Sequence, residues 1–396
     1  MFRFLTSGES HGPGLTAIIE GIPAGLPLSA EQVNYHLKRR QKGYGRGGRM
    51  KIESDQVIFR SGVRHGLTLG SPLTLEIENR DWQNWQVKMS ATPVEEEVEA
   101  VTLARPGHAD FAGAIKYGHD DIRNVIERSS ARETAARTAV GAVCQVFLQQ
   151  FGVEIHSHVL SIGPVGGRDA ANSATGNDYT ASYWEQVEQS QVRCGTGELE
   201  ARMIDYIHEC KTRGETCGGV FEVVATGVPI GLGSYSQWDR RLSSRLAMAI
   251  MSIPSIKGIE IGGGFEATSL PGSQVHDVVQ WSDEQGWYHR SNNAGGIEGG
   301  ISNGAPIVVR GAVKPISTLA HPLPTVDIRT HENVGEGRYE RSDVCVVPAA
   351  GVVGEAMVAI ALSEAWLEKF GGDSLAETRA NYEAYEKARR AAARHA

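Results

Sequence analysis

The stretch Ser130-Ala131-Arg132-Glu133-Thr134-Ala135-Ala136-Arg137-Thr138-Ala139-Val140-Gly141-Ala142-Val143-Cys144-Gln145-Val146-Phe147-Leu148-Gln149-Gln150-Phe151 decides the fold class. Ala136, Val140, Val143, Phe147 and Phe151 recur at spacings of three and four, which predicts a helix from Ala131 to about Phe151 with one apolar stripe. Ser130 followed three positions on by Glu133 reads as a capping box at its start. Its surroundings are mostly strand-like: Leu15–Glu20 and Leu73–Glu78 before it, then Val220–Ala225, Ile307–Val313 and Val344–Val347 after it. The last run stops at Pro348, which cannot donate to a ladder. A second helix is expected from about Val353 to Phe370, ending at Gly371-Gly372. Leu375–Ala396 reads as an Ala/Glu/Arg-rich surface helix. Strands and helices do not alternate at βαβ spacing, so the class is α+β rather than a doubly wound parallel sheet. The polar stretch Gln274–Asn303, rich in Gly, Ser and Asn, reads as a long mobile loop of the kind that serves as a lid.

The chain has 396 residues, a formal net charge of −8 and 47 glycines. Length alone suggests two or three domains. The acidic balance disfavours a general nucleic-acid binder. Five cysteines without a C-x-x-C pair support neither a disulfide framework nor a zinc site. Cys144 and Cys345 read as buried small apolar residues. The N-terminal residues are too short and broken for a signal h-region, and no run of about 18 apolar residues is evident, so the chain reads as cytoplasmic with no membrane partner.

Against that acidic background, Lys38–Lys51 carries seven basic residues, four glycines and no acid. Three readings stand: a solvated basic loop, a segment touching RNA, and a site for an anionic small molecule. His11 and His108 both sit in glycine-containing polar turns, where an imidazole can move protons near neutral pH. Arg128-Ser129-Ser130 with Arg132 reads as an anion site at a helix N-terminus. Gly295–Gly300 and Lys314–Thr318 are glycine-rich or cationic but match neither Walker nor Rossmann spacing, so generic nucleotide binding is not supported. Arg341-Ser342-Asp343 places charges at the entrance to the run Val344–Val347, where a surface ion pair is the bland alternative.

Seven of these segments together resemble the chorismate synthase family, from near Phe2 to about Lys369. They are G-E-S-H-G at Gly8–Gly12, the L-x-R-R…Y-G-R-G-G-R-M loop, R-P-G-H-A-D at Arg105–Asp110, R-S-S-A-R-E-T-A-x-R at Arg128–Arg137, G-G-I-x-x-G at Gly295–Gly300, K-P-I-x-T at Lys314–Thr318 and R-x-D at Arg341–Asp343. Their joint occurrence, in order, is far more specific than any one of them. The resemblance implies a single-domain sandwich of helices between antiparallel sheets over residues 1–371, a helical tail over 372–396, and a homotetramer. It implies a 1,4-elimination of phosphate from 5-enolpyruvylshikimate 3-phosphate to give chorismate. That reaction requires reduced FMN but is redox-neutral.

Carried over residue by residue, the resemblance gives Arg40, Arg46, Arg49, Arg105, Ser130, Arg132 and Arg341 to the substrate's phosphate and carboxylates. His11 is similar in context to the histidine that protonates the departing phosphate, and His108 to the one that assists protonation of the reduced flavin. Asp343 resembles the aspartate that works with flavin N5 in removing the C6 proton. FMN contacts are expected from Arg128, Ser129, Ser130, Pro254, Ser255, Gly299, Gly300, Lys314, Pro315, Ile316, Ser317, Thr318 and Arg341. Many relatives carry Asn-Ala where Pro254-Ser255 stand, and proline has no N–H, so a main-chain contact there must use the carbonyl. No insertion supplies a reductase. The expectation is a monofunctional enzyme served by an external flavin reductant, with NADPH only an indirect source of electrons. An RNA-binding protein and a flavin oxidoreductase are the competing functions. FMN affinity that rises with substrate separates the lyase from the first, and redox neutrality separates it from the second.

Overall fold

A computed structural model of the chain describes residues 2–47, 54–167, 179–284, 286–340 and 343–392. Strands Arg3–Ser7, Gly14–Glu20, Leu73–Glu78 and Val57–Ser61 pair antiparallel in that spatial order. Their inward residues alternate as a half-buried sheet requires, with Leu15 opposite Ile77, Ala17 opposite Leu75 and Ile19 opposite Leu73, all six buried. A second antiparallel sheet runs Ile256–Ile261, Ile307–Val313, Gly219–Thr226, Glu154–Ile162, Val165–Gly166. The α+β class therefore stands.

Helix Thr134–Gln149 packs on the first sheet, through Gly14–Glu20 and Leu73–Glu78. Helix Val347–Phe370 packs on Glu154–Ile162 and Gly219–Thr226 of the second, and the two helices pack on each other. At the crossing, a Cβ on Gly141 would fall 2.3 Å from that of Ala356, so only glycine allows this backbone approach. Because sheet and helix cover it from two sides, Thr134–Gln149 is buried almost all round rather than along one stripe.

Three boundaries depart from the sequence reading. Val344–Val347 is not a strand: Val347 opens the long helix and Pro348 occupies its first turn, where a missing N–H costs nothing. The helix thus starts at Val347 rather than Val353. It is long and apolar enough to cross a membrane by composition, yet its apolar window is almost wholly buried inside the protein. Ser130 and Glu133 form no capping box. Ser130 Oγ accepts from the amide of Arg132 and caps a 3₁₀ turn, Ala131–Glu133, ahead of the helix. The reciprocal box lies at Ser29 and Gln32, on helix Ala30–Gln41.

Gln274–Asn303 is built rather than structureless. It contains the hairpins Val279–Ser282/Gly286–His289 and Ile297–Glu298/Ile301–Ser302. The Asp277 carboxylate accepts from Ser291 Oγ at 2.6 Å and from the amides of Asn293 and Ala294 at 2.8 Å. Helix Leu375–Ala392 docks through Tyr382, which meets the Trp366 and Phe370 rings, and Tyr385, whose hydroxyl donates to the Ile230 carbonyl at 2.9 Å. All five cysteines are buried thiols.

Candidate active site

His11 lies in the connection between the first two strands, Arg3–Ser7 and Gly14–Glu20. Its Nδ1 is 3.0 Å from both carboxylate oxygens of Glu127, and its amide donates to the same carboxylate at 2.7 Å. Ser10 joins in, with its amide on the Glu127 carbonyl and its Oγ on Ser130 Oγ at 3.0 Å. The imidazole stacks on Trp85 at 3.8 Å, and the Arg123 guanidinium lies over the same indole at 5.3 Å. Burial would raise the Glu127 carboxyl, but the hydrogen bond and charge of His11 outweigh it and hold it below its ordinary value. An ionised Glu127 only accepts, so the proton on this side of the imidazole belongs to Nδ1.

His108 is built the same way. Its Nδ1 lies 2.5 Å from Asp110, at the N-terminus of helix Asp110–Tyr117, while Arg105 Nε donates to the other oxygen of Asp110 at 2.8 Å. Burial raises the Asp110 carboxyl, but the His108 and Arg105 hydrogen bonds pull it far down. Asp110 is thus an acceptor, so the 3.1 Å approach of Arg105 Nη2 to His108 Nδ1 is a crowding of two donors rather than a hydrogen bond. Each histidine has a carboxylate behind it that fixes its tautomer.

The arginines gather around another carboxylate. Arg40 Nη1 is 3.3 Å from Asp55 Oδ2 and Arg132 Nη1 is 2.5 Å from Asp55 Oδ1, all three side chains being buried. Arg40 also donates to Thr134 Oγ1 and to the Ala131 carbonyl. Two guanidiniums over one carboxylate leave an excess positive charge in the interior. Accordingly, burial first, with Arg132 adding and Asp55 opposing, pushes Arg40 down to about 10, still a cation at neutral pH. Asn79 ties this group to the histidine turn: its Oδ1 accepts from Arg132 Nε at 2.9 Å, and its Nδ2 donates to the carbonyls of Glu9 and Gly12.

Asp343 is not at a strand entrance. It is paired with Arg46, Nε to Oδ2 at 3.2 Å, and accepts from the Gly47 amide. The Gly45 carbonyl accepts from the Val344 amide at 2.8 Å, so the end of the basic loop is fastened to this segment. Arg49 and Arg341 lie outside the described residues.

The residues expected to meet a flavin fall into three places. Lys314 donates from its amide to the Ser255 carbonyl at 2.9 Å and from Nζ to the Gly107 carbonyl, next to His108. Thr318 accepts from Arg105 Nη1 at 3.4 Å, and the Ile316 carbonyl accepts from Thr216. Pro254 and Ser255 form the turn before strand Ile256–Ile261, with Ser255 at φ +70°. Arg137 holds that turn by donating to Ser252 Oγ at 2.8 Å. Arg128 and Ser129, however, end helix Arg123–Ser129 rather than start one. Arg128 is exposed and donates to the carbonyls of Thr6 and Gly8, and Ser129 Oγ donates back to the Val125 carbonyl. Gly299 and Gly300 form a hairpin turn packed on Arg241 and Leu242. A cavity of about 810 Å³ lies on the other flank of the basic loop, lined by Lys42, Arg46, Glu188, Arg193 and Lys211. It meets the groups above at Gly45, Arg46, Gly47 and Val344, beside Asp343.

The comparisons fit this geometry. A family model described as chorismate synthase matches residues 2–367. The chorismate synthase of Aquifex aeolicus is 56% identical over 389 residues, covering 97% of each chain. That of Geobacter metallireducens is 55% identical over 393 residues, covering 97% of this chain and 98% of its own. A crystal structure of a chorismate synthase superposes with a TM-score of 0.80 at 46% identity, covering 98% of both chains. The chain belongs to the chorismate synthase family. Its activity is that of a chorismate synthase, a lyase of aromatic amino-acid biosynthesis, and one family model accounts for nearly the whole chain.

Sequence reasoning missed the groups that position the others in this chorismate synthase fold: Asp55, Asn79, Trp85, Arg123, Glu127 and Glu340. Arg123 and Glu127 do stand at i,i+4 spacing, but the contacts that tie these groups to the site run far along the chain: His11 and Glu127 are 116 residues apart and Arg105 and Glu340 are 235 apart. Asp110 was visible in R-P-G-H-A-D, and its role follows only from seeing it behind His108.

Proposed function

We propose that the chain catalyses the anti 1,4-elimination of phosphate from 5-enolpyruvylshikimate 3-phosphate to give chorismate, with reduced FMN bound at the same site. The observation that carries this reading is the pair of buried guanidiniums sharing Asp55 beside the His11 turn, a built receptor for a compact polyanion. Arg40, Arg132, Arg46 and Arg105 bind and orient the phosphate and carboxylates, Ser130 adds a hydroxyl, and Arg49 and Arg341 are assigned to the same task. His11 delivers the proton to the departing phosphate from Nε2, with Glu127 stabilising its imidazolium form. Asp343, held by Arg46 and the Gly47 amide, is the carboxylate that accepts the C6 proton. His108, its Nδ1 proton committed to Asp110, exchanges a proton through Nε2.

The residues present suit a flavin phosphate and ring edge. Lys314, Ser317 and Thr318 supply an ammonium and two hydroxyls beside Gly107. Gly107 sits at φ +78°, a backbone conformation that favours glycine, and a Cβ there would lie in ordinary contact with Lys314 Nζ at 3.4 Å. Pro315, Ile316, the turn Pro254-Ser255, Arg128, Ser129 and the turn Gly299-Gly300 complete the assigned contacts. Reduced FMN, when bound, supplies the electron-rich ring that the redox-neutral elimination requires.

In this reading the helices lie between the two antiparallel sheets as one catalytic domain over residues 1–371, with 372–396 as a tail. Exposed Tyr235, Trp238, Met248 and Phe265 offer apolar surface for a homotetramer. The enzyme is cytoplasmic, and it draws reduced FMN from an external reductant that NADPH feeds. Flavin fluorescence tests the joint site. FMN should bind more tightly with 5-enolpyruvylshikimate 3-phosphate present, and an affinity indifferent to it would contradict a shared site.

A further inference from the structure

Glu340 touches both arginines that stand behind the two histidines. Its Oε2 accepts from Arg105 Nη1 at 3.4 Å and its Oε1 from Arg123 Nη2 at 3.3 Å. Arg123 Nη1 in turn donates to Glu127 at 3.2 Å, the carboxylate that holds His11. Arg105 donates to Asp110, the carboxylate that holds His108. From one imidazole to the other, the sequence of groups is His11, Glu127, Arg123, Glu340, Arg105, Asp110, His108. Acceptors and donors alternate without a break between the two histidines.

Four separate stretches of chain contribute to this row, so no local geometry requires it. Its middle is sheltered: the side chains of Arg105, Arg123 and Glu340 are 11%, 13% and 22% exposed. Screening by salt is weak there, and in a chain of charge-assisted hydrogen bonds each member polarises the next. Among the described residues, other charges face the row at three points. Arg338 Nε lies 3.7 Å from Glu340 Oε1, Lys88 lies over the Trp85 indole that supports His11, and Lys314 Nζ donates to the Gly107 carbonyl beside His108. None of these spans both ends of the row.

We infer that Glu340 is a positioning residue that couples His11 to His108, so that one change at its carboxylate resets the hydrogen bonds of both imidazoles. The two arginines compete for these carboxylates. Each guanidinium divides its donors between Glu340 and the carboxylate behind one histidine. Without the Glu340 charge, Arg123 turns more fully to Glu127 and Arg105 to Asp110. Both carboxylates then become weaker acceptors for their imidazole N–H. Removing Arg123 has the opposite sense, since Glu127 is released towards His11, and Glu340 leans on Arg105 and relieves Asp110. The inference rests on the reading in which both histidines transfer protons, but the coupling itself is a property of the unliganded protein.

The test is a long-range ¹H–¹⁵N spectrum of histidine-labelled, ligand-free enzyme at one fixed pH, with the two rings assigned through His11→Gln and His108→Gln. In Glu340→Gln both Nδ1 resonances should move in the direction of a weaker hydrogen bond. In Arg123→Gln both should move the other way. Either variant suffices if the other does not fold. Movement of one histidine alone, of neither, or of the two in opposite senses overturns the coupling. Turnover of His11 and His108 variants is measured separately. Wild-type turnover there would sink the proton-transfer reading while leaving the spectra to decide the coupling.

Discussion

Arg39 and Arg40, neighbours at the end of helix Ala30–Gln41, part company: Arg39 is clamped to Glu355, and Arg40 turns to Asp55 beside Arg132. The clamp has two parallel bonds, Nη1 to Oε2 at 2.6 Å and Nη2 to Oε1 at 2.8 Å, on a Glu355 that is fully buried in the long central helix. Arg193 and Ser157 Oγ also bond that carboxylate. The fold therefore anchors one guanidinium on Glu355 while the next residue turns its own to Asp55, where the proposed function assigns it to the substrate.

Breaking the clamp strips the Arg39 and Arg193 guanidiniums of their fully buried carboxylate and leaves them the partly exposed Glu188, which costs up to about 3–5 kcal/mol. Glu355→Ala should lose about that much in a urea titration. A loss below about 1 kcal/mol would show that the clamp is incidental to the helix packing.

Acid should destabilise the same region in two steps. Burial first, then the Arg39 charge, push His36 down to about 4 from its ordinary 6.5. Between those values the unfolded chain holds the extra proton, so stability is lost as pH falls from about 6.5 towards 4, by up to about 3 kcal/mol. Glu188 is also held low, at about 2: burial opposes this, but the Arg39 and Arg193 interactions prevail. Its contribution is present above its ordinary 4.5 and is lost as pH falls from there through about 2. The Tm of the wild type should drop between pH 7 and 5, and His36→Gln should flatten that drop. An equal drop in the variant would remove His36 as its cause.

Neutralising Arg46 should weaken substrate binding by about 1.5–3 kcal/mol, the range for a hydrogen bond to a charged group. FMN affinity without substrate should change little in Arg46→Gln. Equal losses for both ligands in calorimetry would mean that the loop belongs to the flavin.

Much of the architecture was legible because it is local. Strict alternation marks Leu73–Glu78 and β-branched runs mark Ile307–Val313, and both strands lie where they were read. Val344–Val347 misled because Pro348 closes a strand and opens a helix equally well, and only packing decides between the two. The histidines and arginines were legible through the motifs that carry the family resemblance. Their supporting carboxylates were not, since Asp55 and Glu340 act through contacts that only the folded chain creates.

The stretch Gln274–Asn303 shows the same limit. Its polarity suggested a mobile lid, yet Asp277 holds the amides of Asn293 and Ala294, and Asn292 Oδ1 accepts from the Gly296 amide at 2.8 Å. Hydrogen exchange of the ligand-free protein should find these three amides protected. Exchange as fast as in an unfolded peptide would restore the lid.

The most direct test of the account is an anaerobic assay with photoreduced FMN and 5-enolpyruvylshikimate 3-phosphate, followed at the chorismate absorbance. The wild type should form chorismate without consuming reduced flavin stoichiometrically. His11→Ala and His108→Ala should each turn over roughly 10²–10⁴-fold more slowly while melting at the wild-type temperature. Near-wild-type turnover in both variants, or no chorismate from the wild type, would contradict the account.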